Sequence, residues 1–359
     1  MINIVGANSF ALRMPTMPTT HTLSHAFGEP TATGKIRSTP EDFQVDELLG
    51  FELSGEGEHA CLLIRKRNTN TAFVAEQLAK LAGIKPMDVS YAGLKDRHAV
   101  TTQWFSLYLS NKPEPDWTKL NSDEIEVLQV TRHNRKLRRG ALQGNRFKLI
   151  LRELQGDITT LEPRLQQIAT QGVPNYFGEQ RFGFENLDKV TAMFEGRIKV
   201  HDRNKRSMYL SSARSAIFNH LLSQRVADGS WNSGLPGDMM MLDGSHSVFL
   251  AEEIDATLTQ RLQEQDIHPS GPMWGKGDLP SRGEVQILEQ QLRELYPLFC
   301  NGLEQADMKQ ERRALRLPVS ELQWRMSDDT LTLSFFLTAG SYATVVLREL
   351  IDYHEAGKS

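Results

Sequence analysis

SYAGLKDRHAVTTQWFSLYL, residues 90–109, leads a short glycine-containing loop into an alternating apolar strand that begins near Gln103. Asp96 is the only carboxylate in this run and stands among Lys95, Arg97 and His98. Neighbouring cations favour the ionised form of an acid, so Asp96 is expected as a carboxylate. A charged carboxylate on a turn at the edge of a strand is placed well for chemistry. The same local pattern also describes an aspartate that caps a turn beside solvated cations.

Working outward, 359 residues suffice for two domains, each with its own core. With 39% hydrophobic and 24% charged residues, the composition is that of an ordinary globular protein. No apolar run approaches a bilayer span, and the N-terminus lacks a basic region followed by an apolar core, so a cytoplasmic protein without membrane contact is expected. Cys61 and Cys300 have neither metal-ligand nor disulfide-framework spacing and read as packing residues. The net charge of −4 hides a segregation. Residues 131–152 hold eight Lys or Arg, among them Arg138 and Arg139, and no acid, which leaves the remainder at −12. A solvated face would look like this, and so would a local phosphate-binding surface.

Along the chain, residues 1–33 lack a sustained period and read as an N-terminal extension. In IRSTPEDFQVDELL, Phe43, Val45 and Glu47 fall on one side of a strand. ACLLIRK is a strand, followed by a helix over Thr71–Ala82 with Phe73, Val74, Leu78 and Leu81 as its stripe and Gly83 as its end. Strands follow over QWFSLYL and EIEVLQVTR, and the basic segment turns at Gly144 and Asn145 into a strand containing Phe147, Leu149 and Leu151. A helix over residues 157–171 precedes VPNYFGEQRFG, a packed hinge or a place where Arg181 holds phosphate or a carboxylate. Helical patterns and Pro/Gly-rich loops, HPSGPMWGKGDLPSRGE among them, then run to about Pro318 and mark an inserted domain. ELQWRMSDDTLTLSFFL is a hairpin turning at residues 327–329, and Gly340 and Ser341 start a helix that ends the chain.

Five segments, GFELSGEGEHACLLIRKRNTNT (50–71), AGLKDRHAVTTQ (92–103), GNRFKLILR (144–152), VPNYFGEQRFG (173–183) and AGSYATVVLREL (339–350), together resemble the TruD family of transfer-RNA pseudouridine synthases. The likeness runs in order from about Gly34 to about Ile351. It implies an α+β fold: a mainly antiparallel mixed sheet with covering helices, interrupted by an inserted α/β domain that faces the catalytic domain across an RNA-accepting cleft. The corresponding boundaries are 1–33 for the extension, 34–170 and 318–359 for the catalytic domain, and 171–317 for the insertion.

The resemblance also implies roles. Asp96 becomes the catalytic carboxylate. Phe43, Asn145 and Phe147 line a uridine pocket, with Arg37 as the basic residue just before it. Tyr342 takes an aromatic position where Phe is the familiar residue, so the extra hydroxyl puts its hydrogen bonding in doubt. On electrostatic grounds rather than by resemblance, Lys95 or Arg181 is expected to keep Asp96 ionised and aligned, and Arg138 and Arg139 of the basic tract to contact RNA. The substrate would be a tRNA uridine, at position 13 by the family pattern.

Such a reaction breaks the bond from N1 to the sugar, turns the base and joins its carbon 5 to the same sugar carbon. It needs no redox cofactor, nucleotide or metal, and the sequence carries no Walker loop, dinucleotide fingerprint, HExxH or CxxC cluster. Two other classes remain at this point. A non-catalytic RNA-binding module makes no demand on Asp96. A glycosidase would pair Asp96 with Glu47 or Glu179 but has no use for the basic tract. No uncommitted coiled-coil seam is visible, so a monomer is expected.

Overall fold

The 90–109 segment forms the middle of a large sheet. The computed structural model describes residues 23–110, 113–183 and 185–355. Of the extension expected over 1–33, residues 1–22 lie outside the described residues; from Ala32 the chain is already a strand.

The first part runs β1 (Ala32–Ile36), β2 (Phe43–Leu48), β3 (His59–Arg67), α1 (Thr71–Ala82), β4 (Val89–Tyr91), β5 (Val100–Tyr108), β6 (Ile125–His133), β7 (Gly144–Gly156) and α2 (Leu161–Gln171). After β8 (Val173–Pro174) come α3 (Glu179–Phe182), α4 (Asn186–Phe194), α5 (Arg203–Ala227), β9 (Asp238–Leu242), β10 (Val248–Ala251), α6 (Ala256–Gln263), β11 (Ile267–Met273), α7 (Gly283–Leu295), α8 (Pro297–Gln305), β12 (Glu311–Ala314) and β13 (Arg316–Leu317). The last part is β14 (Ser320–Ser327), β15 (Thr330–Thr338), α9 (Ala343–Leu350) and β16 (Asp352–Glu355). Among the described residues this is a mixed α+β architecture with mainly antiparallel sheets. It divides into two units: Phe27–Val173 with residues 317–355, and Pro174–Arg316 with residues 23–26.

In the first unit the strand order is β14-β15-β7-β2-β5-β3-β6, with β1, β4 and β16 attached at its margins. In it β2–β5 and β1–β16 pair in parallel, whereas β7 pairs antiparallel with β1, β2 and β15, and β3 antiparallel with β5 and β6. Register places Lys66, Thr101, Val45, Phe147 and Phe335 in one row across five strands, and side chains in such a row share a face. Helix α1 covers part of that face. Val74, Ala75, Leu78 and Ala79 pack on Ala60, Leu62, Ile64, Phe105 and Leu107, and Gly83 ends the helix in the left-handed region (φ 61°). Phe73, expected in the stripe, is 41% exposed, because one step along the helix turns it about 100° away from the buried line.

The second unit holds a four-stranded sheet, β10-β9-β11-β12, beside its helices. Its central strand β11, IHPSGPM, lies in what reads in sequence as a Pro/Gly-rich loop. Proline is tolerated because β11 pairs with β9 over Ile267–Pro269 and with β12 over Ser270–Met273, so neither half needs both edges of its ladder. The basic residues RNKR (203–206) form the opening turn of the long helix α5 that continues through SSARSAIFNHLL (211–222). Helix α5 starts at Arg203, where the Asp202 carboxylate accepts from the backbone N–H groups of Asn204 and Lys205. Its buried Arg225 makes a bidentate pair with buried Asp238 at 2.9 and 2.7 Å.

Helix α9 does not end the chain: β16 follows and adds in parallel to β1, Thr33 opposite Asp352 through Ile36 opposite Glu355. DYHE is too short and too polar to announce itself as a strand.

Candidate active site

Asp96 stands between β4 and β5, on a loop whose backbone is tied down at several points. The fully buried Lys66 ammonium donates to the carbonyl of Asp96 and to that of Thr69, each at 2.7 Å. The Lys95 amide donates to the Thr71 hydroxyl, which donates in turn to Gln103, whose amide reaches the Gly93 carbonyl. Burial pulls the Lys66 pKa from 10.5 down to about 8, with Asp96 opposing that fall and Lys95 adding to it.

The Asp96 side chain is about one-third exposed and asymmetrically held. Its Oδ2 accepts from Arg37 at 2.7 Å, while Oδ1 accepts no hydrogen bond among the described residues. Arg37 is itself confined: its other terminal nitrogen pairs with Glu355 on β16, and its guanidinium lies 4.0 Å over the Phe43 ring. Arg37 also has a left-handed backbone (φ 58°), a conformation that arginine adopts rarely and that clusters at functional sites.

From Phe43 the contacts continue to Phe147, edge-on at 6.3 Å, and from there to Phe335, stacked at 5.4 Å. Both Phe43 and Phe147 are buried, as residues of a core are. Asn145, two residues along β7 on the same face, has a buried Oδ1 that accepts no hydrogen bond among the described residues. Beside it Gly144 lies so close to β15 that a Cβ would stand 2.2 Å from the Leu337 carbonyl oxygen, which explains glycine ahead of the asparagine. Tyr342 is half-buried at the start of α9.

Other expected residues fall elsewhere. Lys95 does not meet Asp96: its ammonium pairs with buried Glu47 at 2.7 Å. Glu47 also accepts from the Trp104 amide at 3.2 Å, so both its oxygens are engaged and it is not free to act as a second acid. Arg181 and Glu179 belong to the other unit, where Arg181 donates to Ser211 at 3.0 Å. Arg138 and Arg139 are exposed on the loop between β6 and β7, together with Arg135 and Lys136, and among the described residues none of the four is in an ion pair. That loop is fixed to the Asp96 loop by Gly140, whose amide donates to the Ala92 carbonyl at 2.8 Å, and by Leu137, which packs in one cluster with Ala92.

Sequence reasoning missed Lys66 and Glu355. The first had a signal. In the period-two pattern of β3, Lys66 is in phase with Ala60, Leu62 and Ile64, and a lysine at an inward position has to be satisfied by specific acceptors. Glu355 had none.

A family model described as tRNA pseudouridine synthase D (TruD) matches residues 21–192 and 184–350. The chain belongs to the TruD family. It is 51% identical to tRNA pseudouridine synthase D of Methylococcus capsulatus over 346 residues, which are 96% of this chain and 98% of that one. With the Nitrosococcus oceani protein of the same name the identity is 52%, over 93% and 95% of the two chains. A crystal structure assigned to TruD from Methanosarcina mazei superposes with a TM-score of 0.73, covering 91% of this chain and 95% of that chain at 21% identity, and so shares its fold. No helix among the described residues is long and apolar enough to cross a membrane.

Proposed function

We propose that this TruD family member converts a tRNA uridine, position 13 by the family pattern, into pseudouridine with Asp96 at the sugar–base junction. The observation that carries the reading is the one-sided grip on Asp96. Arg37, whose guanidinium lies over Phe43, holds Oδ2 and Lys66 holds the backbone, while Oδ1 accepts no hydrogen bond among the described residues; Phe43 in turn meets Phe147, which shares its sheet face with Asn145. During the isomerisation the bond from N1 to the sugar breaks and the bond from carbon 5 forms at the same sugar carbon. The proton on carbon 5 is lost and N1 gains one, so nothing is oxidised or reduced. A positioned carboxylate suits the sugar carbon, which becomes electron-poor as the base departs. Asn145 Oδ1, buried and without a donor, is suited to the N3–H of a uracil turned out of its stack, with Phe147 and Tyr342 as apolar walls.

The test is tritium release from unmodified tRNA labelled at uridine carbon 5, with purified protein alone. Release is expected. Tight tRNA binding without release would overturn the reading in favour of an RNA-binding module. The four unpaired cations of the 135–139 loop support RNA as the partner. Replacing Arg138 and Arg139 together by Ala should weaken tRNA binding at low salt and flatten the plot of log affinity against log salt by about 1.5–2 units. An unchanged slope would remove that loop from the phosphate contacts.

A further inference from the structure

The basic loop also walls a cavity of about 780 Å³ that the uridine chemistry leaves unused, lined by Phe51, His59, His133, Arg135, Lys136 and Arg138. Its floor is aromatic. Phe51, 40% exposed, stacks on His133 with ring centroids 5.5 Å apart and planes 25° from parallel. His59, also on the wall, packs on Tyr108, which lies outside the lining, at 5.2 Å. Its rim is cationic. Among the described residues Arg135, Lys136 and Arg138 have no carboxylate partner, whereas the nearby Arg132 is neutralised by Glu114. Glu52 is the one acid on the wall.

The cavity is preformed. The Ser54 amide donates to His133 Nδ1 at 3.1 Å, the Asn134 amide donates to the Ser54 hydroxyl at 3.2 Å, and the Gly55 amide donates to the Arg132 carbonyl at 3.1 Å. Gly57 (φ 118°) lets the two loops close, since a Cβ there would lie 2.5 Å from the His133 carbonyl oxygen. The backbone of both walls is therefore held before anything binds, which lowers the ordering cost on the protein side.

A flat exposed ring pair beside unpaired cations fits a flat base joined to a phosphate, and fits poorly an apolar peptide or an acidic one without aromatic groups. We infer that this cavity holds a second nucleotide of the RNA, unstacked from its neighbours, with its base on the Phe51–His133 pair and its phosphate on Arg135 and Arg138. The inference rests on RNA being the substrate. It gives the protein a grip on RNA shape outside the reacting uridine, on the same loop that Gly140 fastens to the Asp96 loop.

The test pairs protein and RNA changes. Phe51→Leu keeps bulk and loses the π face, and Phe51→Trp restores it. Each variant is measured for affinity against a set of tRNAs carrying a single abasic nucleotide at successive positions. Expected is a roughly tenfold loss for Phe51→Leu on intact tRNA, recovery with Phe51→Trp, and one abasic position whose loss does not add to that of Phe51→Leu. Equal affinity of Phe51→Leu and wild type, or losses that add at every position, would overturn the inference. So would saturable binding of free AMP or UMP in the micromolar range with no abasic effect, since the site would then serve a free nucleotide. Tritium release by wild type is measured in parallel, so that failure of the RNA reading is seen separately.

Discussion

Asp96→Asn should bind tRNA within about twofold of wild type and lose turnover by roughly 10³-fold or more. The replacement is nearly isosteric, and the amide oxygen can still accept from Arg37, so the contacts that fix the loop survive: Lys66 to the backbone carbonyl, Gln103 to Gly93 and the Lys95 amide to the Thr71 hydroxyl. What disappears is the negative charge at the atom that Arg37 leaves open. Single-turnover rates with saturating enzyme, together with filter-binding affinity, separate the two quantities. Turnover within tenfold of wild type would remove Asp96 from the reacting centre. A loss of binding equal to the loss of rate would make it an RNA-contact residue instead.

Lys66→Met should lower single-turnover rate by about 10²-fold while changing stability little at pH 7. A displacement of about 1 Å at a reacting group is enough for such a loss, and Lys66 is the direct anchor of the Asp96 carbonyl. Stability is a balance of two terms. Methionine leaves two buried carbonyls without their donor, costing about 1–3 kcal/mol each. It also removes a buried charge whose pKa has fallen from 10.5 to about 8, worth about 3 kcal/mol in the opposite direction. The sign of the pH effect follows. Below pH 8 both folded and unfolded lysine are protonated, and the cost of the buried charge is constant. Between pH 8 and 10.5 the unfolded chain keeps a proton that the folded chain has released, so wild-type stability rises relative to the variant by up to about 3 kcal/mol. Urea unfolding of both proteins at pH 7 and pH 9.5 measures this. A stability difference that is flat with pH, or an unimpaired rate, would show that Lys66 only fills space.

The sequence was most informative where one local rule governs. Helix α1 is legible because its stripe and Gly83 agree, and the β14–β15 hairpin because Ser327, Asp328 and Asp329 interrupt two strand patterns, Asp328 with a left-handed backbone (φ 50°). Strand β11 was illegible because its prolines are excused only by a change of partner halfway along, which no window of sequence contains. The same holds for the site. Phe43, Val45 and Glu47 share a face as their period requires, yet the partner of each charged group is set by register between distant strands. Arg37 reaches Asp96 across 59 positions and Glu355 across 318, and Lys95, adjacent to Asp96 in sequence, turns instead to Glu47.

The parallel closure of β1 by β16, with β15 beside β7, has a consequence in time. Strands β1 to β7 leave the ribosome first, but the edge of β7 that receives β15 and the edge of β1 that receives β16 stay unpaired until Pro174–Arg316 has been made. At about 5–20 residues per second that interval is on the order of 10–30 s. During it the nascent sheet exposes two open edges, the situation in which strands pair with the wrong neighbour. Because Glu355 lies on β16, the second partner of Arg37 is made after every other residue of the candidate site.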